Sequence, residues 1–177
     1  MADKMDAVAL LKADHRKVED LFEKFEKAKS DSVKKALVDQ ICTELSVHTA
    51  IEEEIFYPAC TGEIDEDLVK EAYVEHDGAK VIIAELMQSE PGDDFYDAKV
   101  KVLSEEIKHH VKEEERRAEG MFAQARDAGL DMDALGDQMA ARKQELLAQV
   151  KSGGLPTPKT RSFTGHKLQQ DQPVAPV

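Results

Sequence analysis

Two short segments, each with a histidine four residues before a glutamate, restrict this chain more than any other feature: His48-Thr49-Ala50-Ile51-Glu52 and His110-Val111-Lys112-Glu113-Glu114. At 3.6 residues per helical turn, positions four apart stack on one face, so each imidazole and its carboxylate converge on one point. Two such pairs on facing helices supply two nitrogens and two bridging carboxylates. That is much of what a pair of transition-metal ions inside a helix bundle requires. Whether those faces point inward is decided by the apolar residues around them.

The apolar pattern answers in favour of the interior. From about Met5 to Lys29, the residues Val8, Leu11, Val18, Leu21, Phe22 and Phe25 recur at helical spacing, and His15 falls on their stripe. A second helix, capped by Asp31 or Ser32, carries Val33, Leu37, Ile41, Leu45, His48, Glu52 and Ile55 in steps of three or four. Glu53 and Glu54 rotate off that stripe, and Pro58 is expected to close the helix at Tyr57. The third helix starts near Asp65 and places His76 among Leu68, Ala72, Ala79 and Ile83. Ser89-Glu90-Pro91-Gly92-Asp93 is a stop and restart signal. A fourth stripe then runs through Tyr96, Val100, Leu103, Ile107, His110, Glu114, Ala118, Met121 and Ala125. His109 shares its face with Glu106, Glu113 and Arg116, so the helical phase selects His110 as the inward residue.

An all-α fold follows: an antiparallel up-down four-helix bundle with a short fifth C-terminal helix from about Asp131 to Val150. Beyond it comes a tail, rich in Gly, Pro, Ser and Gln, that is expected to be disordered. The bundle domain is thus placed at 1–150 and the tail at 151–177. With 177 residues, 41% hydrophobic and 34% charged, and no Trp, the chain suits long helices with charged outer faces. A net charge of -13 opposes binding to nucleic acid or to an anionic membrane, both polyanions. No apolar run is long enough to span a bilayer, and Met1 to Lys12 lacks the core of a signal peptide, so a cytoplasmic location is the expectation. Cys42 and Cys60 fall in one apparent helix, roughly 27 Å apart by rise per residue, and cannot pair with each other.

Counting back from the intervening turns puts His15, His48, His76 and His110 in one layer, with Glu52 and Glu114 one turn away toward the same end. A single histidine on an apolar stripe is more often a core residue bonded to a neighbour than a ligand. Four in one layer with two inward carboxylates and no cationic partner are different, because burying unpaired carboxylates costs several kcal/mol each. A bound pair of metal ions removes that cost.

These residues resemble the hemerythrin-like family of HHE cation-binding domains over roughly Val8 to Arg126. The likeness rests on His15 in Leu-Lys-Ala-Asp-His, His48 and Glu52 in His-Thr-Ala-Ile-Glu-Glu-Glu-Ile-Phe-Tyr-Pro, His76 in Glu-His-Asp, and His110 and Glu114 in His-His-Val-Lys-Glu-Glu-Glu. It implies two iron ions in a non-haem di-iron centre, favoured over manganese or zinc, with Glu52 and Glu114 bridging and the four histidines as terminal ligands. The partner implied is a small oxidant: O2, H2O2 or NO. Two departures accompany it. Lys80 stands where oxygen-carrying members place a fifth histidine, which favours peroxide turnover over reversible O2 carriage. The family's proline after the second motif is missing, so the fourth helix is expected to continue through Arg116-Arg117-Ala118. Iron storage or sensing without redox turnover is the alternative function.

Overall fold

The computed structural model describes residues 5–155 and 159–163. Four long helices, α1 (Ala7–Lys27), α2 (Asp31–Ile51), α4 (Glu66–Met87) and α5 (Tyr96–Glu115), close into a ring in the order α1, α2, α4, α5. Short α3 (Tyr57–Cys60) ends the second arm, α6 (Met121–Asp127) follows the fourth, and α7 (Met132–Gly153) packs outside on α1 and α2. No strand occurs among the described residues. Side-chain caps fix where the helices start: the carboxylates of Asp6, Asp65 and Asp131 and the hydroxyl of Ser30 each accept a backbone N–H of the first turn. None of the described helices is long and apolar enough to cross a membrane.

The helix stripes build two separate apolar cores. One, around Leu11, Ile51, Phe56, Tyr57, Met121 and Met139, fills the end covered by α6 and α7. The other, around Phe22, Ile41, Leu45, Leu86, Leu103 and Ile107, fills the opposite end. His15, His48, His76 and His110 belong to neither core, and all of them are buried.

Three local expectations are corrected. The second helix does not stop at Tyr57; it widens into a π-helical turn over Glu52–Phe56 and resumes as α3, with Pro58 in its first turn. A proline ring collides with the carbonyl four residues back in a regular α-helix, and a turn with bonds five residues apart relieves that collision. The fourth helix does not continue through Arg117 but ends at Glu115, where Arg116 turns extended (ψ 131°). The chain folds back so tightly that a Cβ on Gly120 would lie 2.6 Å from the backbone of Arg116 and Glu114, which only glycine allows. Met121 and Phe122 are thereby carried over the end of the bundle, where they cover the core.

The third correction concerns the C-terminal region. The fifth helix is as long as the bundle helices, since α7 has 22 residues. Of the tail expected to be disordered, 151–153 complete α7 and 159–163 lie against α4, while 156–158 and 164–177 are outside the described residues. Cys42 and Cys60 are free, buried thiols, and burial pushes both up to about 12.

The approach of α7 to the start of α1 depends on Gly136. A Cβ there would sit 2.5 Å from the Met5 carbonyl oxygen and 2.8 Å from the Ala7 nitrogen. Gly136→Ala is therefore expected to lower stability by roughly 1–3 kcal/mol through overpacking against backbone. Urea unfolding checks this, and an unchanged midpoint would mean that α7 is not seated on α1 as described.

Candidate metal centre

Each long helix of the ring delivers one imidazole to the layer between the cores. Nε2 of His15 lies 3.2 Å from Nε2 of His48, and Nε2 of His76 lies 3.2 Å from Nε2 of His110, giving two pairs. Two carboxylates sit between the pairs. Glu52 Oε2 is 3.1 Å from His48 Nε2 and 3.3 Å from His76 Nε2. Glu114 points one oxygen each way, Oε2 at 3.4 Å from His15 Nε2 and Oε1 at 3.5 Å from His110 Nε2. Two groups of donors result that could each hold a cation: His15, His48, Glu52 and Glu114, and Glu52, His76 and His110. All six side chains singled out in the sequence are thus brought together, and Glu52 belongs to both groups. His109 is exposed, as its helical phase predicts.

The outward nitrogens are as ordered as the inward ones. Nδ1 of His15 donates to Glu115 (2.8 Å), Nδ1 of His76 to Glu53 (3.1 Å) and Nδ1 of His110 to Glu75 (2.7 Å), while Nδ1 of His48 lies 3.6 Å from Asp14. With the Nδ1 of three rings bonded outward to carboxylates, their Nε2 atoms face the centre, the orientation found around metal-bound histidines. Each outer carboxylate is the chain neighbour of an inward residue: Asp14 of His15, Glu53 of Glu52, Glu75 of His76, Glu115 of Glu114. Each serves the adjacent helix of the ring, α1 to α2, α2 to α4, α4 to α5 and α5 back to α1. Successive residues of a helix project about 100° apart, so a residue beside an inward one points at the neighbouring helix. Cations then hold this outer ring: Lys143 on Asp14, Arg16 on Glu115 (2.8 Å) and Lys80 on Glu53 (2.6 Å).

Sequence reasoning missed these four carboxylates, and it missed Tyr57. The π turn bonds Tyr57 N–H to the Glu52 carbonyl five residues back, which carries the phenol to the face of Glu52. Fully buried, its hydroxyl donates to Glu114 Oε1 at 3.0 Å and stands 3.1 Å from His76 Nε2 and 3.4 Å from Glu52 Oε2. The Ile55-Phe56-Tyr57-Pro58 run after Glu52-Glu53-Glu54 was the available signal, read only as a stop. Lys80 is not part of the inner layer, because its ammonium is committed to Glu53 and Asp77.

Electrostatics match a cation site. Burial opposes charge on Glu52, yet the facing imidazoles of His48 and His76 hold its carboxyl well below the usual range. Burial likewise opposes charge on His48, but Glu52 and Asp14 raise it to about 10, and carboxylates raise His15 and His76 in the same sense. Burial and the carboxylates of Glu114 and Glu52 push Tyr57 well above its ordinary value, so it keeps its proton. Glu52 Oε1 and Glu114 Oε2 are buried and accept no hydrogen bond among the described residues. Orphaned carboxylate oxygens beside inward imidazole nitrogens are a donor set that fits transition-metal ions. Below the imidazoles is a small cavity, about 10 Å³, walled by Val18, Leu45, Ile107 and Val111.

This is the interior of a metal-binding helical bundle. Residues 6–122 match the hemerythrin HHE cation binding domain, and the chain belongs to that family. The crystal structure of a hemerythrin HHE cation binding domain-containing protein from Mycobacterium kansasii superposes with a TM-score of 0.69 at 24% identity, covering 85% of this chain and 94% of that one. A DNA nickase from Nostoc sp. is 25% identical over 111 residues, 63% of this chain. Because the chain spans only 32% of the nickase's length, the match concerns one portion of that protein.

Removing the central hydroxyl tests the geometry without a metal. Tyr57→Phe keeps the ring but leaves the Glu114 oxygen without its donor, so the metal-free protein is expected to lose roughly 1–3 kcal/mol. Equilibrium unfolding at neutral pH checks this. A variant as stable as the parent would mean that the phenol is not bonded inside the layer.

Proposed function

We propose that this protein holds a non-haem di-iron centre that binds or reacts with a small oxidant, O2, H2O2 or NO, and that it turns over peroxide in preference to carrying O2 reversibly. His15 and His48 would serve one ion, His76 and His110 the other, with Glu52 and Glu114 bridging. The observation that carries this reading is the pair of Glu114 oxygens, one turned toward each histidine pair. Imidazole and carboxylate donors also suit manganese and zinc, and the family resemblance favours iron. When bound, the ions would supply redox chemistry and an open position for an oxygen-containing ligand.

The chain's own groups support the peroxide reading. Lys80, at the position of a fifth histidine in oxygen carriers, is tied to Glu53 and Asp77 and offers no further ligand, so the donor set stays one imidazole short. Tyr57 holds a proton at the centre, where chemistry on peroxide needs one, whereas reversible carriage needs only binding. Two H2O2 giving two H2O and one O2 balances without any outside reductant. The cavity beside the imidazoles has room for about one water-sized molecule, which favours a small ligand at the layer.

Anaerobic iron reconstitution followed by elemental analysis should find two ions per chain, with proton release on loading because His48, raised to about 10 by Glu52 and Asp14, is held protonated without a cation. Glu52→Ala or Glu114→Ala should each lose both ions. His110→Ala should lower the iron content and His109→Ala should not; the reverse pattern would overturn the ligand assignment. Peroxide consumption by the loaded protein should exceed that of free iron. A stable O2 adduct reversed by deoxygenation, with no peroxide consumption, would refute the preference for turnover.

A further inference from the structure

The described C-terminal segment, residues 159–163, lies beyond the stretch that matches the family and yet makes a dense set of polar contacts with α4. Asp77 has no exposed surface, and its Oδ2 accepts three hydrogen bonds from that segment: Arg161 N–H (2.8 Å), Ser162 N–H (2.6 Å) and the Ser162 hydroxyl (2.7 Å). Lys80 joins the two sides, donating to Asp77 Oδ1 (3.3 Å), to Glu53 Oε1 (2.6 Å) and to the Lys159 carbonyl (2.9 Å). The guanidinium of Arg161 lies 4.9 Å over the Tyr73 ring, and its Nε is 3.5 Å from Glu53 Oε2. An arginine stacked on an aromatic face while pairing with a carboxylate is a recognition contact, not incidental packing.

Without this segment, Lys80 would be the remaining hydrogen-bond partner of Asp77 among the described residues, and a carboxylate placed this way costs stability unless its oxygens are satisfied. Asp77 Oδ2 is the acceptor on which the two backbone N–H groups and the Ser162 hydroxyl converge, while Glu53 and the Tyr73 ring take the Arg161 side chain. Glu53 is the link inward. It accepts the Nδ1 proton of His76 at 3.1 Å, and two cations tied to the segment, Lys80 and Arg161, hold its two oxygens.

We propose that Asp77, Lys80, Tyr73 and Glu53 form a binding site for the chain's own Arg161-Ser162 pair, and that its seating fixes Glu53 against His76. Arg161 and Ser162 are then positioning residues, acting on the metal layer through Glu53. The effect on a bound ion rests on the di-iron reading; the seating and its hold on His76 do not.

Full-length variants test this. Ser162→Asp places a carboxylate against Asp77 and unseats the pair, Arg161→Ala removes one of the two cations on Glu53 and leaves Lys80, and Ser162→Thr, which keeps the hydroxyl, is the conservative control. In the metal-free protein, trypsin cleavage after Lys159, followed by mass spectrometry, should be roughly tenfold faster for Ser162→Asp than for the parent, as local opening becomes favourable. Solvent exchange of the His76 Nδ1 proton, followed by nitrogen-15 NMR, should accelerate several-fold in both Ser162→Asp and Arg161→Ala, and Ser162→Thr should restore parental behaviour in both measurements. After iron loading, transfer of iron to a chelator should be roughly tenfold faster for Ser162→Asp, in line with losing a carboxylate that orients a ligand. Cleavage at the parental rate would overturn the seating. Faster cleavage with an unchanged His76 proton would overturn the positioning role, and unchanged iron transfer would overturn its reach to the ion. If the protein holds no iron at all, the di-iron reading fails while the two metal-free measurements still decide the seating.

Discussion

Two carboxylates, Glu52 and Glu114, are buried between dry apolar cores, and each keeps an oxygen without a hydrogen-bond donor among the described residues. No lysine or arginine is paired with either one among the described residues. Burial of this kind is tolerated only when charge is compensated, because the desolvation penalty of a carboxylate amounts to several kcal/mol. The compensation comes from four imidazoles and one phenol, groups that are all able to give up their place or proton to a cation. Helix phase and spacing serve this layer: each of the four stripes brings one buried histidine into it, and those of His48 and His110 also bring Glu52 and Glu114.

The outer carboxylates show how a bundle makes such a layer rigid. A histidine on a helix can rotate about two bonds, so pointing it inward is not enough to aim Nε2. Fixing Nδ1 from the adjacent helix removes that freedom, and the ring order means that no helix orients its own histidine. Glu53 serves His76, Glu75 serves His110 and Glu115 serves His15, while Asp14 stands 3.6 Å from His48 Nδ1 as its facing charge without a hydrogen bond. A shift of any one helix along its axis would therefore disturb two imidazoles, its own and its neighbour's. Aim and packing are coupled, and the apolar cores on either side resist the shift.

Much of this was legible in the sequence, and what was not has identifiable causes. The phase of His15, His48, His76 and His110 on apolar stripes needs only a 3.6-residue repeat, so the four helices and the inner six residues could be read directly. The outer ring could not, because an acidic residue beside an inward one has the same pattern as a solvated charged face. Glu53 looked rotated away for that reason. Tyr57 was hidden by the π turn, which breaks the regular phase on which the reading relied; the visible Pro58 signalled a stop rather than a widened turn. The break after Glu115 had no proline to mark it and turns on Gly120, whose need to approach backbone at 2.6 Å appears only in three dimensions.

The C-terminal third ties the layer to parts of the chain outside the matched family segment. Lys143 on α7 pairs with Asp14, and Arg161 together with Lys80 pairs with Glu53, so two of the four outer carboxylates take a cation supplied or bridged by residues after the bundle. Glu115 has Arg16 from within the bundle. Among the described residues Glu75 has no such lysine or arginine contact, and it faces the exposed His109 at 3.5 Å. The surroundings of the two histidine pairs are therefore unequal: His48 and His76 are backed by carboxylates held from the C-terminal region, His15 by one held within the bundle, and His110 by one held by an imidazole open to solvent. The pair of His76 and His110 lies on the side where Tyr57 sits, and its donor group has three members where the other has four.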